Sequence, residues 1–206
     1  MVRVNRAPPA TVVHRPANLI DPLDWNGLFE RPQSVELELG SGDGSFLARW
    51  AQDHPGVNFV GVERLMGRLN KLDRKARRLG LRNLRLLRFE AAYLMKYLVP
   101  AESLDAVHVY FPDPWPKRKH VDRRLINSAF TVMAARALKP GGTVWLRTDH
   151  TEYFAQMQDV FSASGLFTDV DTPFELAQVI TDFERDFNGR GIPTCRSGWR
   201  LAAART

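Results

Sequence analysis

The chain has 206 residues and a formal net charge of +6, from 29 Lys and Arg against 23 Asp and Glu. Hydrophobic residues make up 44% and charged residues 25%, the mix of a globular protein with a full core, and no window approaches eighteen consecutive apolar residues, so no membrane span is expected. The lone Cys195 excludes an intrachain disulfide framework and a cysteine-rich zinc site, and five scattered histidines suggest no metal centre. The N-terminus lacks a continuous apolar stretch of the secretory kind, so a cytoplasmic location is expected.

In chain order, residues 1–33 are rich in Pro, Asn and Arg and read as a basic arm and lead-in, with Arg3, Arg6 and Arg15 preceding the first acid, Asp21. Residues 34–206 read as one domain. The run VELEL (35–39) is a short strand that stops at glycines. A helix is expected over 45–52, then a β-branched and aromatic strand, VNFVGV, over 57–62. Residues 64–79 predict a helix with Leu65, Leu69, Leu72, Ala76 and Leu79 on one face and Gly80 ending it. Further strands are expected over 83–89 and 104–111. A helix over 122–138 closes on the turn KPGG, a fifth strand covers 142–148, and a helix then runs to about residue 164. The weaker signals LFTDVD and GWRLAAA suit a hairpin edge. The alternation predicts an α/β, Rossmann-like architecture: a mainly parallel seven-stranded sheet, helices on both faces and a C-terminal β-hairpin edge.

Positive charge is clustered. Between Arg64 and Arg88 there are ten Lys or Arg and one acid, Asp73; the tail after Asn188 has four arginines, at 190, 196, 200 and 205, and no acid. That distribution suits a phosphate backbone as partner, against the plainer reading of a solvated basic surface. Every predicted strand ends at or beside a carboxylate: Glu38 before the glycines, then Glu63, Glu90, Asp113 and Asp149. Ligands of such sheets bind beyond these ends, although helix capping also recruits acids there.

The loop ELGSGDG places Glu38, Gly40, Gly42 and Gly44 at the first strand-to-helix turn, where glycine permits positive φ and close approach of a ligand. Glu63, nineteen residues after Gly44, is placed to bind ribose hydroxyls. The spacing G-x-G-x-G and a carboxylate two residues upstream disfavour a dinucleotide pyrophosphate. They favour the cationic methionyl group of S-adenosylmethionine, and the loop resembles motif I of class I methyltransferases. Glu90 falls where that fold sets an acid or amide against adenine, or else caps the next helix.

The stretch FPDPWPKRKH (111–120) leaves a buried strand and at once becomes rigid, acidic, aromatic and basic. Its prolines fix φ and can hold Asp113 and Trp115 without help from helix or sheet. The acid can accept hydrogen bonds from a base, and the aromatic can stack on one taken out of its helix. Lys117, Arg118, Lys119, His120, Arg123 and Arg124 follow, and cations at a helix start favour an external anion. His108, alternating with apolar neighbours, reads as a satisfied core histidine.

With these motifs, the segment from about residue 19 to 149 resembles the tRNA (guanine-N(7)-)-methyltransferase family, through PLDWNGLF, ELGSGDG, NFVGVE, NLRLLRFEA, SLDAVHVYFPDPWPKRKH and LKPGGTVWLRTDH. TDFE at 181–184 is similar to the family's T-K-F-E. The resemblance implies transfer of a methyl group from S-adenosylmethionine to N(7) of a guanosine in tRNA, at position 46 of the variable loop. It implies cofactor contacts from Glu38, Gly40, Gly42, Glu63, Glu90 and Asp113, with Asp113 also at the catalytic position. Substrate contacts would come from Lys117, Asp149, Thr181, Asp182, Phe183 and Glu184. No metal, membrane or obligatory protein partner is implied, and the chain is expected as a monomer or homodimer. The sequence departs from the family at Asp182, where lysine is usual, at Glu90 and His150, and after Glu184. Two rivals remain at this point: a catalytically altered RNA-binding relative, and a class I methyltransferase for another RNA or a small molecule. A dinucleotide-dependent oxidoreductase is disfavoured by Glu38 and the glycine spacing.

Overall fold

A computed structural model of the chain describes residues 10–203. The expectations placed on Arg3, Arg6 and Arg205 concern positions outside the described residues. The elements run β1 (Val13–His14), α1 (Trp25–Leu28), β2 (Ser34–Leu39), α2 (Leu47–Asp53), β3 (Val57–Val62), α3 (Met66–Arg78) and β4 (Leu84–Leu87). Next come α4 (Ala91–Tyr93), which passes into a π-helical turn (Leu94–Leu98), then β5 (Leu104–Tyr110), a 3₁₀ segment (Arg118–Arg123), α5 (Ser128–Ala137) and β6 (Leu138–Thr148). The chain ends with α6 (Thr151–Ser164), β7 (Phe167–Val170), α7 (Phe174–Gln178), α8 (Asp182–Gly189) and β8 (Cys195–Leu201).

These strands form one sheet in the order β1-β4-β3-β2-β5-β6-β8-β7. All pairings from β1 to β6 are parallel, while β8 runs antiparallel to both β6 and β7. From β2 the chain winds outward through β3 and β4, then returns to lay β5 on the other side of β2. The crevice beyond the β2 and β5 carboxyl ends is therefore the switch point, where ligands of such sheets bind. The central strands are apolar on both faces, as a sheet covered by helices on both sides requires: Leu37, Leu39, Phe59, Val60, Leu86, Val107 and Val109 are buried. No helix among the described residues is long and apolar enough to cross a membrane.

The sheet has eight strands where seven were expected, because part of the presumed arm joins it. Val13 and His14 lie beside Leu86 and Leu87. Asp73 draws the segment in, its Oδ1 accepting from Val12 N and Thr11 Oγ1, both at 2.8 Å. The only acid of the 64–88 cluster is thereby committed to the fold. Leu23, Trp25, Leu28 and Phe29 are buried as well, with Asp24 capping α1 by accepting from Asn26 N at 3.0 Å.

Other differences have local causes. Leu69, Leu72 and Ala76 are buried as the α3 stripe predicts, but Leu65 and Leu79 are exposed because they cap the helix instead of belonging to it. The helix expected over 122–138 is shorter. Arg124 turns inward, and Asn127 opens α5 by accepting from Phe130 N at 3.1 Å. Strand β6 begins before KPGG, since Leu138 pairs with Leu104 ahead of a register shift around Gly141, whose φ is +78°. The edge strands β7 and β8 are joined through α7 and α8, not by a tight turn.

Candidate active site

The loop after β2 carries Gly40, Gly42 and Gly44 at φ of +80°, +55° and +77°. At Gly44 a Cβ would lie 2.1 Å from Leu72 Cδ1, so glycine there lets α3 pack close. At Gly40 a Cβ would meet nothing within 4 Å, leaving the backbone open to a ligand. The loop is tied to β3: Gly40 N and Ser41 N both donate to Val62 O, at 2.8 and 2.9 Å. Glu63, buried at the end of β3, accepts from Gly42 N at 3.1 Å and Leu65 N at 2.7 Å. It fixes the loop, and each of its oxygens keeps capacity for a further donor.

Glu38 lies beneath this loop, 4% exposed, and its Oε2 has no partner among the described residues. Burial pushes its carboxyl up to about 8; Arg147 opposes the shift, and Glu63 and Asp43 add to it. A buried carboxyl with an orphaned oxygen, beside open backbone, fits a ligand that brings a positive charge. Glu90 is exposed at the end of β4 and caps α4, its two oxygens accepting from Ala92 N at 3.0 Å and Tyr93 N at 2.7 Å.

Beyond β5 the chain enters Phe111–Trp115, where two non-glycine residues hold positive φ: Phe111 at +51° and Trp115 at +42°. Such conformations cost of order 1–3 kcal/mol each and persist only where the surroundings enforce them. Phe111 N donates to Arg147 O at 2.8 Å, and Arg124 Nε donates to Pro114 O at 2.8 Å. Arg124 was expected to face an external anion. It is instead buried, with Nη1 on Gln156 Oε1 at 2.7 Å, Nη2 on Glu152 Oε1 at 3.1 Å and its guanidinium over Tyr153. Held from both sides, the loop presents Asp113 to solvent, accepting no hydrogen bond from the described residues. Trp115 is half-buried, with the Arg123 guanidinium 5.1 Å from its ring and the His120 ring at 5.8 Å. Lys117 is exposed and Asp149 half-buried after β6.

Helix α8 joins this loop although the sequence separates them by about seventy residues. Phe111 stacks at 26° on Phe183 and Phe187, with centroids at 6.2 and 5.9 Å, and the Arg68 guanidinium of α3 lies 5.9 Å from the Phe183 ring. Asp182 is exposed and paired with Arg185 at 2.6 Å, so its reversed charge is offset within its own helix.

Thr181 and Glu184, expected on the substrate, are both buried and form a capping box at the start of α8. Thr181 Oγ1 accepts from Glu184 N at 3.0 Å, and Glu184 Oε2 accepts from Thr181 N at 3.4 Å. Glu184 Oε2 also accepts from Arg147 Nη1 at 3.1 Å, and Oε1 accepts from Arg196 Nη2. Arg147 was not singled out from the sequence. It is 1% exposed and also donates to Val179 O at 2.7 Å and Leu176 O at 2.5 Å, with its guanidinium 4.3 Å from the Tyr110 ring. One buried arginine thus fastens the α7–α8 connection to the end of β6. A lone cation inside the otherwise apolar run TVWLRT was the signal available. His108 is a satisfied core histidine, between Tyr110 Oη at 2.7 Å and Glu36 Oε2 at 2.9 Å.

Over residues 32–195 the chain matches a family model described as "Putative methyltransferase". It is 35% identical over 174 residues to the tRNA (guanine-N(7)-)-methyltransferase of Thermotoga maritima, covering 84% of this chain and 56% of that protein. It is 38% identical over 138 residues to the protein of the same name from Geobacter metallireducens, covering 67% and 65%. The chain therefore spans between about half and two thirds of the length of these curated relatives. Among solved structures, the 16S rRNA methyltransferase KamB superposes with a TM-score of 0.62 at 18% identity, over 82% of this chain and 88% of that one. A SAM-dependent methyltransferase from Aquifex aeolicus gives 0.57 at 13% identity, over 82% of each. At such identities these two share the fold.

Proposed function

We propose, from the premise that the chain belongs to the methyltransferase family whose model spans residues 32–195, that it methylates N(7) of a guanosine in tRNA with S-adenosylmethionine as donor. The observation that carries this reading is a juxtaposition at the switch point. A buried carboxyl lies beneath an open glycine loop, the neighbouring strand ends in a strained loop presenting Asp113, and neither Glu38 Oε2 nor the Asp113 side chain has a hydrogen-bond partner among the described residues. The names of the relatives and the FPDPWPKRKH motif supply the tRNA and the guanine, and by the same resemblance the guanosine is that of position 46.

S-adenosylmethionine, when bound, supplies an electrophilic methyl group and, on its methionyl end, a positively charged ammonium. Glu38 would face that charge, Gly40 and Gly42 would let the ligand lie against the backbone, and Glu63 and Glu90 would take the ribose and adenine ends. Guanine N(7) carries an in-plane lone pair and no proton, so attack needs alignment more than a base. Asp113 accepts hydrogen bonds from the guanine N–H groups and favours the cationic product. Lys117 and the exposed face of α3, with Arg68, Lys71 and Arg74, would receive phosphates, and Asp149, Phe183 and Asp182 would contact the tRNA, Phe183 from its place against Phe111 and Arg68.

The direct test incubates the protein with labelled S-adenosylmethionine and unmodified tRNA, then digests the product. Label in 7-methylguanosine is expected, and absence of transfer to tRNA overturns the reading. The affinity for tRNA should also fall linearly on a log–log plot against salt, by several decades per decade of salt, since each phosphate contact releases counterions. A flat response would show that the substrate is no polyanion.

A pH dependence follows from Glu38. Its raised value means the free protein holds the carboxyl protonated below about 8. A cationic ligand binds the ionised form, so binding below that pH releases a proton. The affinity for S-adenosylhomocysteine, which keeps the ammonium group, should rise about tenfold per pH unit between pH 6 and 8 and then level off. Calorimetry at several pH values checks the slope, and Glu38→Gln should flatten it.

A further inference from the structure

We propose that the rim formed by Phe89, Tyr93, Lys96 and Tyr97, after β4, is a second RNA contact that stacks an unpaired base of the substrate away from the methyl-transfer site. The inference rests on the RNA substrate argued above.

The rings form a graded ladder. Phe89 and Tyr93 are parallel within 1° with centroids 6.3 Å apart, and Tyr93 and Tyr97 follow at 5.0 Å. Tyr93 is 39% and Tyr97 50% exposed, which leaves ring faces open to solvent. The Lys96 ammonium lies 4.9 Å from the Tyr97 ring. The ladder stands on a backbone irregularity: Val99 N donates to Leu94 O at 3.1 Å, closing a π-helical turn, a feature that recurs at functional sites. Tyr93 Oη donates to Leu19 O at 2.8 Å, which ties the lead-in segment to the same rim.

The charges select the occupant. Arg88 is exposed and donates to Arg64 O at 3.3 Å, and Arg15 follows His14, the register neighbour of Leu87. Lys96 thus lies against the aromatics themselves, while the exposed Arg15, Arg64 and Arg88 sit on the chain segments that adjoin them. Three carboxylates on these segments already accept hydrogen bonds within the protein: Glu90 from Ala92 and Tyr93, Asp21 from Asn18, and the buried Glu63 from Gly42 and Leu65. A second copy docking face to face would bring like charges together across its two-fold axis. Stacked aromatics within a basic rim are the footprint of single-stranded nucleic acid. The rim also lies on the correct side of the sheet. It follows the carboxyl end of β4, three strand spacings from β5, or about 14 Å from the strand that carries Asp113. A nucleotide a few steps along the same RNA can span that distance.

The test measures tRNA binding by the full chain in fluorescence anisotropy at fixed salt, with S-adenosylhomocysteine affinity and sedimentation velocity as controls. Tyr97→Ala should weaken tRNA binding by about fivefold to a hundredfold, whereas Tyr97→Phe, which keeps the ring, should stay within about twofold. Lys96→Ala should reduce the salt slope by about one. S-adenosylhomocysteine affinity should be unchanged in all three. Wild-type tRNA affinity in Tyr97→Ala overturns the inference, as does a loss that accompanies conversion of a dimer to a monomer, which would assign the rim to self-association. Failure of the unmutated protein to bind tRNA would instead remove the proposed function, and this inference with it.

Discussion

Asp113→Ala should lower kcat/KM for tRNA methylation by about two to three orders of magnitude while leaving S-adenosylhomocysteine affinity within a few fold. The expectation comes from how the loop is built. Two residues in the left-handed region bracket Pro112, Asp113 and Pro114, and buried Arg124 and the backbone of Arg147 hold the loop's two ends. A strained loop whose one carboxylate has no hydrogen-bond partner among the described residues has that carboxylate free for something outside them. Removing the side chain breaks no hydrogen bond among the described residues, so the melting temperature should not change, which separates a chemical defect from a folding one. Asp113→Asn keeps one acceptor oxygen but neither the charge nor the second acceptor. Its rate should fall between wild type and alanine, since it orients the guanine only in part and no longer favours a cationic product. Near-wild-type turnover by the alanine variant would remove Asp113 from the reaction.

Legibility in the sequence followed the periodicity of burial. The central strands were readable because a parallel sheet covered on both faces needs near-continuous apolar runs, and VELEL, VNFVGV and LDAVHVYF supply them. The glycine loop was readable because three glycines at spacing two have few other uses, and the structure gives all three positive φ. What escaped was set by tertiary partners. The edge strand Val13–His14 has almost no pattern of its own and depends on Asp73, sixty residues away. Arg124 read as a surface cation beside others of its kind, yet Gln156, Glu152 and the face of Tyr153 enclose it. The TDFE segment was partly legible in another sense. Thr-x-x-Glu before a helix is a capping signature, and the same four letters that resemble a substrate motif also spell the start of α8.

That double meaning makes Glu184 the residue where stability and function should fail together. Its carboxylate is fully buried and joins Arg147 from β6 with Arg196 from β8, while its backbone and Thr181 close the cap of α8. Glu184→Ala leaves the Arg147 guanidinium buried with only two carbonyls and aromatic faces, and breaking a buried pair from one side costs about 3–5 kcal/mol. Loss of that carboxylate also frees the helix that sets Phe183 and Phe187 against Phe111, so the Asp113 loop loses a support. Urea unfolding should therefore show a lower midpoint at an unchanged slope, and tRNA turnover should fall even well below the transition. A Glu184 that acts only by holding the guanine would reduce turnover and leave the midpoint where it was, and that outcome would overturn the structural role assigned here. The double variant Arg147→Met, Glu184→Met decides between lost charge pairing and lost shape. Removing both charges removes the desolvation cost, and Arg196, whose side chain is 30% exposed, can turn to water. The double variant should be more stable than Glu184→Ala, yet it should recover little turnover, because methionine cannot hold Val179 O and Leu176 O and so leaves the α7–α8 connection unfastened at the mouth of the site.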